Sequence, residues 1–112
     1  MFLVAPDSFK GSFSATEVAE AIGRGVRAGG AEAELLPAAD GGEGTMDVLL
    51  GALGGETRTA AVHDPLGRPI EARFALLGDG RSAAVEVAQA SGLGLVAEHE
   101  RDPEAASSAG TG

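Results

Sequence analysis

Phe2-Leu3-Val4-Ala5-Pro6-Asp7-Ser8-Phe9-Lys10-Gly11-Ser12-Phe13-Ser14-Ala15-Thr16-Glu17 opens the chain and decides how the rest is read. Phe2 to Ala5 is a short, wholly apolar run, the pattern of a strand buried on both faces. Pro6 to Phe13 reads as a loop. Ser14 and Glu17 then stand as an S-x-x-E capping box, which marks a helix start. Ala15, Val18, Ala19, Ile22 and Val26 follow at helical spacing. Glu17, Glu20, Arg24 and Arg27 take the other side, with Glu20 placed to pair with Arg24. Gly29-Gly30 ends the helix.

The same grammar then repeats. Glu34 to Pro37 is a second short strand, and Ala38 to Gly44 is a polar, glycine-rich loop. Met46, Leu49, Leu50 and Leu53 form a second apolar helical stripe, closed by Gly54-Gly55. Strand, loop and helix in that order, twice, predict a parallel sheet covered by helices. Residues 1–55 are therefore read as a Rossmann-like α/β portion.

Beyond Gly55 the period changes. Thr57 to Val62 reads as a strand, and residues 63–69 are dense in turn formers. Ile70, Ala72, Phe74 and Leu76 alternate with Glu71, Arg73 and Ala75, a strand with one wet face. Gly78-Asp79-Gly80 is a turn, and Ala83 to Ala88 a further strand. Ala88 to Val96 reads as a short helix broken at Gly92. Residues 56–112 are thus expected to form a small antiparallel element with a short helix, the start of a second lobe or its connection. Gly110-Thr111-Gly112 resembles a further loop-to-helix junction, so the chain is expected to be part of something longer.

Composition narrows the function. The 112 residues carry 8 basic and 17 acidic side chains, for a net charge of -9. A general nucleic-acid binder needs a basic face, and an anionic membrane surface would repel this chain. No apolar run approaches transmembrane length. With no cysteine, disulfides, thiolate metal sites and cysteine nucleophiles are excluded. A proline and an aspartate by position 7 arrive too early for a secretory signal, so a cytoplasmic location is expected.

Two loops carry the candidate chemistry. Lys10 is the only lysine, the other seven basic residues being arginines. A compact ammonium on a flexible stem suits a phosphate or carboxylate contact. Lys10-Gly11-Ser12 lacks the glycine spacing of a P-loop. In Ala39-Asp40-Gly41-Gly42-Glu43-Gly44-Thr45, three glycines in four positions let backbone N–H groups approach a ligand. This loop feeds a helix N-terminus, which favours an anion. Asp40 and Glu43 would repel a bare phosphate, so they imply a hydroxyl to orient, a proton to take or a Mg²⁺ ion to hold. The plain alternative is a turn with Thr45 as N-cap and Glu43 favouring the helix dipole. If the two strands are parallel neighbours, both loops leave the carboxyl ends of the sheet, where open α/β sheets bind ligands. His63 in a turn and His99 in an acidic segment have no metal-ligand partner at helical spacing.

Ala5-Pro6-Asp7-Ser8-Phe9-Lys10-Gly11-Ser12 and Ala39-Asp40-Gly41-Gly42-Glu43-Gly44-Thr45 together resemble signature segments of the bacterial glycerate kinase family. The resemblance continues through Asp64-Pro65-Leu66-Gly67, Gly78-Asp79-Gly80 and Glu86-Val87-Ala88-Gln89-Ala90-Ser91-Gly92-Leu93. It ends at Ser108-Ala109-Gly110-Thr111-Gly112, where Ala109 stands in place of the family's aromatic residue. It reaches about the first third of a typical member, so the chain is expected to be truncated relative to the family's two-lobed fold and inactive alone.

The resemblance implies ATP-dependent phosphorylation of D-glycerate to phosphoglycerate, with Mg²⁺. Asp7, Lys10 and Asp40 become candidate catalytic residues. Ser8, Gly41, Gly42, Glu43, Gly44 and Thr45 become candidate substrate contacts, and Asp40 with Glu43 a candidate metal pair. Asp7 or Asp40 could accept the hydroxyl proton or bind Mg²⁺. The rival reading is a non-catalytic α/β module that binds small organic anions.

Overall fold

The computed structural model describes residues 1–112. The chain forms two compact units, Met1–Val48 and Leu49–Gly112. In the first, β1 (Phe2–Val4) and β2 (Ala33–Leu35) are parallel neighbours, with Phe2 opposite Ala33 and Val4 opposite Leu35. The connection is α1 (Ala15–Ala28), which packs on both strands. Its start is the expected capping box. The Glu17 N–H donates to Ser14 Oγ at 3.3 Å, and the Ser14 N–H donates to Glu17 Oε2 at 2.8 Å. The bond from the Ser14 N–H, with a second from the Ser14 hydroxyl to Glu17 Oε2 at 2.8 Å, holds the Glu17 carboxyl below its usual range, because both favour the charged form.

The buried face of α1 is Ala15, Val18, Ala19 and Gly23. Gly23 allows the helix to lie close to β2, since a Cβ there would come within 2.6 Å of Leu35 Cδ2. Ile22, expected on that face, is 46% exposed. The expectation of a first strand buried on both faces also fails, since only Val4 is buried while Phe2 and Leu3 are exposed. A two-stranded sheet covered on one side leaves its outer edge and second face open. Glu20 and Arg24 form no ion pair.

Helix α2 (Thr45–Leu53) follows the second loop. Met46 is fully buried, Leu49 and Leu50 are half-buried, and Leu53 is exposed, so the expected stripe is covered only in part.

The second unit is built on an antiparallel meander. Strands β3 (Gly55–His63) and β4 (Pro69–Leu77) pair over their whole length, from Gly55 opposite Leu77 to His63 opposite Pro69. His63 therefore ends a strand and does not sit in the turn. Ala75, expected on the wet face, is fully buried, and β5 (Ala83–Ala84) pairs alongside it with Ala75 and Leu76. The turn between β4 and β5 is organised by Asp79. Its Oδ1 accepts from the Arg81 and Ser82 N–H groups, at 2.9 and 2.8 Å.

The expected strand from Ala83 to Ala88 is cut to two residues. The chain turns at Glu86, whose carbonyl accepts from the Gln89 N–H at 3.0 Å, and enters α3 (Ala88–Ser91). Gly92 ends α3, as expected. One-turn 3₁₀ segments follow at Leu93–Leu95 and Glu98–Glu100. No helix is long and apolar enough to cross a membrane.

Candidate functional site

The first unit brings the two candidate loops together at their roots. The parallel pairing of β1 and β2 continues past the strands: the Leu36 N–H donates to the Val4 carbonyl at 2.8 Å, and the Ala38 N–H donates to the Pro6 carbonyl at 2.9 Å. Both loops thus leave the same, carboxyl end of the sheet, the ligand-binding end of open α/β sheets.

Within the first loop, Phe9 and Phe13 exchange backbone hydrogen bonds at 2.8 and 3.2 Å. Lys10, Gly11 and Ser12 form the tip of this miniature hairpin. Gly11 has a φ of 75°, a conformation that disfavours a side chain. Lys10 is exposed at the tip and makes no ion pair with Asp7, Asp40 or Glu43. Asp7 Oδ1 accepts from the Ser8 N–H at 2.6 Å, which turns that carboxylate back on its own loop.

In the second loop, Asp40 Oδ1 accepts from the Gly42 N–H at 2.9 Å, an Asx turn. Gly41 and Gly44 have φ values of 94° and 92°. The Thr45 hydroxyl donates to the Gly42 carbonyl at 2.7 Å. Thr45 is the first residue of α2, so it is not the N-cap that the plain reading expects. Asp40, Gly41, Gly42 and Glu43 are exposed, and Gly44 and Thr45 half-buried.

No group of three His, Asp or Glu side chains converges on a common point. The residues present thus fit no all-protein cation cage. They do fit the way Mg²⁺ is commonly held, by one or two carboxylates together with phosphate oxygens. Asp40 retains Oδ2 for such a contact.

Two concavities lie elsewhere. One of about 470 Å³, lined by Met1, Arg27 and residues 31–34, sits at the amino ends of β1 and β2. Another, of about 300 Å³, lies in the second unit beside Pro65, Ser91 and Arg101.

The second unit also holds a polar cluster that sequence reasoning missed. Asp64 is 4% exposed. Its Oδ1 accepts from the Leu66 and Arg68 N–H groups, both at 2.9 Å, and its Oδ2 accepts from Arg68 Nε at 2.5 Å. Burial pushes the Asp64 carboxyl up, but the bonds from Arg68 and Leu66 outweigh it and hold it below the usual range. The Arg68 guanidinium, bonded to Asp64 and then Glu100, is pushed further up. An aspartate four residues before an arginine in a turn was a legible signal for half of this cluster. Glu100, 32 residues further on, carried none.

The glycerate kinase family model matches residues 2–112. The chain is 49% identical over 112 residues to the glycerate kinase of Bacillus subtilis (strain 168), covering 98% of this chain and 29% of that protein. It is 46% identical to the glycerate 2-kinase of Escherichia coli (strain K12), covering 98% of this chain and 29% of that protein. A crystal structure described as a candidate glycerate kinase 2 from Salmonella typhimurium LT2 superposes with a TM-score of 0.78 at 46% identity. That match covers 97% of this chain and 30% of the other. The chain thus spans less than a third of the length of these relatives.

Proposed function

The chain belongs to the glycerate kinase family, and from that premise we propose that the polypeptide carrying this sequence phosphorylates D-glycerate with ATP, to phosphoglycerate and ADP. The observation that carries this reading is the Ala38-to-Pro6 backbone bond, which joins the roots of two polar loops at the carboxyl end of one parallel strand pair.

In this reading Lys10 grips the glycerate carboxylate or a phosphoryl oxygen. Ser8 and the loop Gly41, Gly42, Glu43, Gly44 and Thr45 contact the substrate. Asp7 or Asp40 takes the proton of the attacking hydroxyl as its oxygen bonds to the terminal phosphorus and the bond to the departing ADP oxygen breaks. ATP would supply the phosphoryl group, and Asp40 and Glu43 would hold Mg²⁺, which would offset the charge on that group. Such chemistry asks for positioning and charge neutralisation more than for covalent help. Without a nucleotide-phosphate loop of recognised pattern, the 112 residues alone are expected to bind glycerate but not to turn it over.

Two measurements test the reading. Amide NMR shifts of the 112-residue chain are followed on titration with D-glycerate and with succinate. Shifts at residues 8–11 and 41–45 that need glycerate support the site, and equal shifts with succinate favour the organic-anion module. In a longer polypeptide with glycerate-dependent ATP consumption, Lys10→Ala and Asp40→Asn are compared with the parent. A Lys10 that meets charge growing in the transition state costs about two to three orders of magnitude in kcat. One that only grips the carboxylate raises KM with kcat unchanged. Asp40→Asn keeps the turn and lowers kcat. Parental kinetics in both variants would remove these loops from the site.

A further inference from the structure

The residues from Glu98 to Gly112 contain no strand and no helix longer than one 3₁₀ turn. Their position rests on side-chain and isolated backbone contacts. These converge on the β3–β4 turn and on α3. The Ser107 N–H donates to the Pro65 carbonyl at 2.9 Å. Gly110 lies so near the His63 backbone that a Cβ would fall 1.8 Å from its carbonyl oxygen. The Thr111 and Ser91 hydroxyls are 2.6 Å apart. Three stretches singled out in the sequence, 64–67, 86–93 and 108–112, are thereby gathered at one place within the second unit.

One side chain spans this junction. Arg68 gives Nε to buried Asp64, Nη2 to the Leu95 carbonyl at 3.2 Å, and Nη1 to both Glu100 oxygens at 3.3 and 3.2 Å. We propose that Arg68 is a positioning residue: anchored by Asp64 in the turn, it clamps the Leu95–Glu100 stretch and so seats the Ser107–Thr111 segment against His63, Pro65 and Ser91. The proposal goes beyond the kinase reading and does not depend on turnover.

The geometry explains why arginine is needed. Its planar fork addresses three acceptors in different directions at once, whereas a lysine ammonium is a single point charge. The anchor is firm because Asp64 is buried and bonded three ways. The outer arm to Glu100 is part-exposed and weaker.

Hydrogen exchange of the 112-residue chain tests the clamp by comparing the Ser107 and Thr111 amides with those of the β3–β4 ladder, such as Thr59 and Ala61. Glu100→Ala cuts only the outer arm, and it should speed exchange at Ser107 and Thr111 by about two- to fivefold with the ladder unchanged. Arg68→Ala should speed it by about tenfold or more. Arg68→Lys should restore little of that protection. Unchanged exchange at Ser107 and Thr111 in both alanine variants would overturn the proposal. Exchange that rises equally in the ladder would also overturn it, by making Arg68 a general stabiliser. Full protection in Arg68→Lys would show that charge alone, and not the fork, holds the segment.

Discussion

Asp64 concentrates more interactions than any candidate site residue, and its charge has a stability consequence. Its folded carboxyl titrates below the ordinary aspartate value of 3.8, since bonds from Arg68 and Leu66 outweigh the opposing effect of burial. The unfolded chain therefore binds more protons in that window, and stability rises with pH across it. The contribution is complete above the ordinary value and is lost as pH falls through the lower folded value. Asp79 and Glu17 are lowered as well, by bonds from Ser82 and Ser14, and act in the same direction. Thermal midpoints measured from neutral pH downward should fall steeply below about pH 4. In Asp64→Asn the midpoint should start lower, and the acid slope should be shallower. An identical slope in both proteins would assign the acid sensitivity to other groups. At this scale the sequence pointed to Lys10 and Asp40 through residue type and loop context. It marked Asp64 only as one of a run of turn formers and did not show its burial, because an aspartate in a turn looks the same whether or not a later segment covers it.

Helix α1 is where local signals and packing can be separated. Ser14, Glu17 and Gly29-Gly30 mark both ends, and the observed helix obeys them because capping is settled within a few residues of chain. Its face was less legible. Gly23 and Gly25 look alike in the sequence, yet only Gly23 is buried against Leu35. Nothing lies within 4 Å of a Cβ at Gly25. Gly25→Ala should stabilise the chain by about 1 kcal/mol, through helix propensity alone. Gly23→Ala gains the same propensity but must push Leu35 Cδ2 aside from 2.6 Å, so its net effect should be smaller. Urea midpoints of the two variants give the comparison directly, and equal midpoints would mean that Leu35 yields without cost. The truncated β5 has a related lesson. Val85 and Val87 favour a strand by type, but the ladder stops at Ala75 and Leu76, and further along β4 the Arg73 N–H donates to the Gln89 side chain of α3 instead.

Across the whole molecule, apolar exposure opposes charge. In the first unit Met1, Phe2, Leu3, Phe9, Phe13 and Leu36 are all more than half exposed. The outer edge of β1 is unpaired, a template for a further strand. A net charge of -9 keeps copies apart, and salt screens that repulsion. Sedimentation velocity should therefore show mass above 11.1 kDa at high protein concentration, increasing with added salt. Leu3→Lys, which puts a charge on the open edge, should reduce the association. A single 11.1 kDa species at every concentration and salt level would refute it.

The order and type of most elements, the ends of α1, the antiparallel meander and the family were legible in the chain of residues alone. These depend on spacing, capping and turn chemistry, which act between residues close along the chain. It also placed both candidate loops at strand ends, since a strand-loop-helix unit leaves little other choice. Which apolar residues are covered came from packing, which left Phe2, Leu3, Ile22 and Leu53 open while burying Ala75 and Gly23. It alone joined Arg68 to Glu100 and Ser91 to Thr111. Burial and such distant pairs depend on which surfaces meet in space, and a linear pattern holds no record of a partner many residues away.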